Sequence, residues 1–169
     1  TAVGLRALKL NTTGAENTVV GSLAADALTT GSYNVAIGMQ ALGADTLGRK
    51  SVAIGQQALL VQNFTSATDT FNTAVGFDAG AAITTGTTNT IVGGLAGDAL
   101  TTGAANTAVG YSALSTAGIA ADHNTAIGYA AGYSVTTGDN NLLLGSDAGR
   151  SGSPGGAIST GSNAIVLGD

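Results

Sequence analysis

The sequence predicts an all-β fold of parallel coils, a β-solenoid of about seventeen residues per coil, and three observations predict it. A five-residue phrase, Asn106-Thr107-Ala108-Val109-Gly110, returns along the whole chain. The glycines that close it fall at 4, 21, 38, 55, 76, 93, 110, 128, 145 and 168, so six of the nine intervals are seventeen residues. Charged residues are only 9% and aromatics 4%, too few large side chains for a thick core and too little net charge for a disordered chain. A fixed return with a thin core is the mark of a stack in which each repeat buries its apolar edge only against its neighbours.

The phrase itself reads as a short strand. Counting the closing glycine as position 0, position −1 is always Val, Ile or Leu, as in Val20, Ile37, Val92 and Val109. Such residues suit a pleated surface, and period-two alternation places them on one face with the Thr or Val at −3. By size, that face is expected inside. Position −2 then points out and never carries a polar group: Ala36, Ala53, Ala74, Ala108 and Ala126 form a stripe expected to lie between chains. Beyond the glycine, Leu5, Met39, Phe77, Tyr111 and Tyr129 extend it.

Position −4 is Asn17, Asn34, Ser51, Asn72, Asn89, Asn106, Asn124 and Asn141. Stacked coils would align these into a ladder, each side-chain amide bonding its neighbour one coil away. An Ala recurs at +3, and Thr-Thr-Gly closes at +10, as in Thr29-Thr30-Gly31 and Thr101-Thr102-Gly103. The stretch ending in Thr-Thr is expected to form a second wall offering Leu28, Ile83, Leu100 and Val135 inward. The two glycines mark corners where the chain needs a positive φ or a tight turn. At the second corner Asp69 replaces glycine, and Asp is among the few residues that tolerate a left-handed backbone. Two strands and two corners per coil make a flattened roll, and nine to ten coils at ~4.8 Å spacing make a rod ~45 Å long.

The longer intervals place insertions near 60–70, 117–123 and 150–158 of one repeat domain spanning 1–169. Loops added to a solenoid project from it and suit contact with a partner. Phe64 stands near the middle of the first, Phe71 follows it just before the strand, and Pro154 marks the third as a flexible tip; a bland alternative packs these aromatics over a seam between chains. The chain opens inside a repeat without Met, so an excerpt of a longer chain is expected.

Several function classes are disfavoured. The five cations are scattered, which disfavours nucleic acid. No apolar run approaches a bilayer's thickness, so membrane insertion is not expected. Cys is absent, excluding disulfides and thiolate metal sites. Asp78 and Asp147 share a register but stand four coils apart, ~19 Å, too far for a glycosidase pair. The sole His123 beside Asp122 has no poised nucleophile. No catalysis, cofactor or metal is expected.

The recurring Asn-Thr-Ala-Val/Ile-Gly phrase, with its +3 Ala and Thr-Thr-Gly, resembles the repeat region of phage tail-fibre proteins. It is similar also to the head of trimeric autotransporter adhesins, whose Ser-Val-Ala-Ile-Gly phrase matches Ser51-Val52-Ala53-Ile54-Gly55. The resemblance implies a left-handed β-roll, a homotrimer, and an extracellular place on a virion or a bacterial surface, facing a glycan or protein receptor. The seventeen-residue period is longer than the adhesin head's. An ice-binding solenoid is a third expectation, from the regular Thr rows.

Overall fold

In the computed structural model, which describes residues 1–116 and 120–169, each phrase forms one short strand. These are β1 (Ala2–Val3), β2 (Thr18–Val20), β3 (Val35–Ile37), β4 (Val52–Ile54), β5 (Thr73–Val75), β6 (Thr90–Val92), β7 (Thr107–Val109), β8 (Thr125–Ile127), β9 (Leu142–Leu144) and β10 (Ile165–Leu167). They make one parallel ten-stranded sheet in chain order. Equal positions pair from rung to rung, Ala36 with Ala53 and Ala53 with Ala74, so the insertions leave the register intact. The insertion expected at 117–123 falls partly on residues 117–119, outside the described residues.

The architecture is the expected solenoid with one strand per coil rather than two. The stretch ending in Thr-Thr is irregular, yet it stacks as regularly as the strands. The Thr29 amide and hydroxyl both donate to the Thr46 carbonyl, at 2.9 and 3.0 Å, and Thr84 does the same to Thr101. Leu28, Ile83, Leu100 and Val135 are fully buried there, as expected.

The strand's facing is the reverse of the expectation. Ala36, Ala53, Ala74, Ala108 and Ala126 are fully buried within their own chain, while Val20, Ile37, Val92 and Ile127 are exposed. The reason is room. Inside the coil, position −2 meets the buried +3 alanines and the residues at +4 and +7, and the space holds few large side chains. Coils with Leu at +4 (Leu42, Leu59, Leu114) have Ala at −2; coils with Val19, Ile91 or Leu143 at −2 have Ala25, Gly97 or Gly149 at +4. A Cβ on Gly97 would stand 3.0 Å from both Ile91 Cδ1 and Leu100 Cδ1. Coils small at both places, Ala74 with Gly80 and Ala126 with Gly132, lie beside Leu59 and Leu114 of the preceding coil, which a Cβ on either glycine would meet, so close packing is balanced between neighbouring coils rather than within each one.

The phrase glycine meets two demands at once. Gly93 has φ +137°, and a Cβ on it would run into the Gly110 carbonyl of the next coil. At the second corner only the second demand applies. Gly86 needs no positive φ, but its Cβ would strike the Gly103 carbonyl. Asp69 is accordingly not left-handed; it pairs with Arg49 at 2.9 Å and Lys50 at 2.7 Å.

Left-handed backbone appears instead in ordinary residues at +2, +4 and −5, such as Leu23, Leu42 and Tyr33. Each turns an N–H along the rod. Leu23 donates back to the Leu5 carbonyl at 2.9 Å, Leu42 forward to Ala58 at 2.9 Å, and Tyr33 back to Ala15 at 3.1 Å. These bonds between coils compensate for the unfavourable φ.

Candidate functional site

The outward face of the sheet is the feature of this molecule that a smooth, self-contained rod would not need. Its rows at −3, −1 and +1 carry no charge from β1 through β9. Position −1 is aliphatic on every rung, and the row at +1 adds Leu5 (74% exposed), Met39, Phe77, Tyr111 and Tyr129. The Tyr111 and Tyr129 rings stack, with centroids 5.7 Å apart and planes 13° apart. At −3, Thr18, Thr73, Thr90, Thr107 and Thr125 share the face with Val35, Val52, Leu142 and Ile165. Charges appear only at its borders: Arg6, Asp78 and Asp147 at +2, Glu16 and Lys50 at −5. About 45 Å long and five residues wide, this face covers on the order of 700 Å²; its apolar part is the continuous −1 row, joined by +1 residues that Ser22, Gln56, Gly94 and Ser146 interrupt.

The alanines expected to form a stripe between chains thus lie in the core and cannot touch a second chain. The outward apolar stripe exists, built from the opposite parity of the same strands. One sequence signal identified the inner parity. Thr recurs at −3, and burying it would have hidden hydroxyls, whereas −2 never carries a polar group.

The asparagine ladder is present and buried, with a different wiring from that expected. Each Asn reaches forward to backbone rather than to the next amide. Asn17 Oδ1 accepts the Asn34 N–H at 2.9 Å, and Asn17 Nδ2 donates to the Gly31 carbonyl at 2.9 Å. Asn34, Asn72, Asn89, Asn106, Asn124 and Asn141 repeat both bonds. Direct amide contacts are secondary, as from Asn106 Nδ2 to Asn89 Oδ1 at 3.2 Å.

Ser51 is too short for this task, and a buried cluster replaces it. Gln62 Nε2 donates to Ser51 Oγ at 2.9 Å and to Asp45 Oδ2 at 2.6 Å, while Gln62 Oε1 accepts from Asn72 Nδ2 at 2.8 Å. Ser51 and Thr70 hydroxyls meet at 2.6 Å. Asp45, fully buried, also accepts the N–H groups of Gly48 and Phe64. In the sequence the cluster shows only as Asp45 and Gln62 at +7, in line with Leu28 and Ile83.

Of the loop residues, Phe64 is 7% exposed and packs into its own chain, which leaves little of its ring for contact with another. Phe71 is exposed with the Lys50 ammonium 5.1 Å over its ring. Pro154 is exposed, in a loop braced by turns from Ser153 to Arg150 and Gly156 to Ser153.

The carboxylates are placed for pairing with charge or solvent. Lys50's hydrogen bond, with the charges of Arg49 and Lys50, holds Asp69 below its ordinary pKa against some desolvation. Asp78 is raised, first by burial and then by the Asp98 charge on the neighbouring coil. Its Oδ1 has no hydrogen-bond partner among the described residues. The strand-edge groove that holds His123, about 400 Å³, is lined by Asn140, Asn163, Thr125 and Leu142, with no carboxylate among its lining residues. Among the described residues no three His, Cys, Asp or Glu group together as metal ligands, and no helix is long and apolar enough to cross a membrane. No protein-family model, curated protein or solved structure matches this chain.

Proposed function

We propose that this chain is a structural segment of an extracellular fibre, a tail-fibre shaft or receptor-facing module, assembled as a homotrimer through the outer face of its sheet. The observation that carries the reading is that face: ten rungs long, aliphatic at every −1 position, uncharged from β1 through β9, and bordered by charges. Its area is near the ~800 Å² per partner of a stable interface. A second copy fits better than a foreign partner, because two copies share one rung spacing and can stay in register along the whole rod. The resemblance of the repeat phrase to tail-fibre and trimeric adhesin repeats supports three copies, and it supports a virion or bacterial surface over the cell interior. A bacterial adhesin head with the same association is the alternative within this reading. Receptor contact, to a glycan or a protein, falls to exposed loop residues such as Phe71.

One observation favours a second reading. The outward −3 threonines, Thr73, Thr90, Thr107 and Thr125 on four successive rungs, lie beside aliphatic neighbours, as on an ice-binding face. The Thr-Thr corner is the weaker candidate, since the first hydroxyl of each pair at Thr12, Thr29, Thr84 and Thr136 donates to the next coil.

Light scattering separates the two readings. The fibre reading expects about three times the chain mass and no thermal hysteresis. A single-chain mass at every concentration overturns it.

A further inference from the structure

One row at the border of the outer face changes character part-way along the rod. Position −5 is small or polar in most coils, as at Thr88, Ala105, Asn140 and Asn163, but the three coils leading into β3, β4 and β5 place Tyr33, Lys50 and Phe71 there. Tyr33 and Phe71 are 51% and 53% exposed, and the Lys50 ammonium lies 5.1 Å over the Phe71 ring. The backbone of all three is left-handed, with φ of 64°, 61° and 52°, a conformation that asparagine takes readily and a bulky ring does not. Neither burial nor local backbone preference accounts for two aromatic rings at these places.

The charge beside the rings is also unusual for this chain. Arg49 and Lys50 are the only adjacent cations in a sequence of net charge −5. Both reach Asp69, Lys50 Nζ donating to Oδ2 at 2.7 Å and Arg49 Nη2 standing 2.9 Å from Oδ1. One carboxylate for two cations leaves a positive charge, and the Lys50 ammonium keeps N–H donors beyond the one it gives to Asp69. The next acid along the row, Glu16, is two rungs from Lys50, ~10 Å away. Tyr33 and Phe71 stand the same ~10 Å apart with Lys50 between them. Past Phe71 the row falls to Thr88 and Ala105, which leaves a shallow, open shelf.

Exposed flat rings take the C–H faces of sugars, two rings at this spacing reach neighbouring units of one oligosaccharide, and cations beside them bind carboxylate. We propose that Tyr33, Phe71, Lys50 and Arg49 form a binding surface for an acidic oligosaccharide, one whose sugars carry carboxylates as uronic and sialic acids do. An acidic peptide would satisfy the cations but leave the two rings without a role. The inference rests on the receptor-facing part of the reading above and is independent of how many copies assemble.

Oligogalacturonate and sialyllactose are the probes, titrated calorimetrically into the whole protein at low salt. Binding of at least one is expected, weakening as salt is raised, with lactose binding at least about tenfold more weakly than the sialylated sugar if that is the one bound. Phe71→Ala and Lys50→Met should each weaken binding by about tenfold. Tyr133→Ala, which removes an exposed ring elsewhere on the rod, should leave it unchanged, with circular dichroism showing every variant folded. Absence of binding to both acidic sugars at millimolar concentration overturns the proposal. So does undiminished binding by folded Phe71→Ala, or equal affinity for an oligoglutamate of the same charge, which would make this a surface for acidic protein. A single-chain mass with sugar binding intact would sink the assembly and spare this site; a threefold mass with no sugar bound would do the reverse.

Discussion

The two faces of each strand invert the usual arrangement of a half-buried sheet: alanine dominates the inner row, and valine, isoleucine and leucine fill the outer one. On β7, Ala108 is fully buried while Thr107 and Val109 on either side of it are half-buried. Side-chain size therefore does not identify the inside of a thin roll. The inner row is limited by the opposite wall, which already contributes Leu114 or its equivalents, whereas the outer row has no such limit until another surface covers it. A large apolar side chain at an unrestricted position is what an interface, rather than a core, would select.

The largest test of this comparison is a charge on the inner row. Ala108→Asp should cost about 3–5 kcal/mol, since an unpaired carboxylate would be enclosed without a partner; urea denaturation measures it. Next is the ladder that holds the coils in register. Asn89→Ala leaves the Asn106 N–H and the Gly103 carbonyl buried and unpaired, a loss of about 2–4 kcal/mol, which a lowered denaturation midpoint would report.

The outer row should respond oppositely. Val109→Glu is expected to change single-chain stability by no more than about 0.5 kcal/mol, while reducing the assembled mass to that of one chain. A large loss of stability with no change of mass would instead restore Val109 to the core.

The smallest effect lies at the border of the face. Burial and Asp98 raise the pKa of Asp78, so its folded form holds its proton more tightly than the unfolded chain does. Stability then falls as pH rises from the unfolded value through the higher folded one. Asp78→Asn should raise the melting temperature at neutral pH, and the gain should shrink as the solution is acidified below that window. A gain independent of pH would remove the electrostatic explanation.

The period, the parallel stacking, the register through each insertion and the asparagine row were all legible because each is a one-dimensional regularity. The phrase glycines were legible too, although their second requirement, the carbonyl of the next coil, is a contact between residues seventeen apart. The direction of the alternation is not legible from side-chain size: the large −1 residues point out, and the polar threonines at −3 are the feature that marks that face as the outer one. The Asp45–Gln62–Ser51 cluster was hidden for a different reason. Its one signal is the pair of polar residues, Asp45 and Gln62, in a +7 row that otherwise offers Leu28, Ile83, Leu100 and Val135 inward; their meeting with Ser51 is a contact between coils that no linear pattern states.

By itself, the sequence determined that this chain winds into a stack of equal coils, because a recurring glycine, asparagine and small apolar residue can be satisfied together only by neighbours of the same kind. Only the tertiary structure decided which side of each strand is inside. Alternation has two phases, and the choice depends on the volume left by the opposite wall. It also decided that ordinary residues turn left-handed, where their N–H groups must point along the rod.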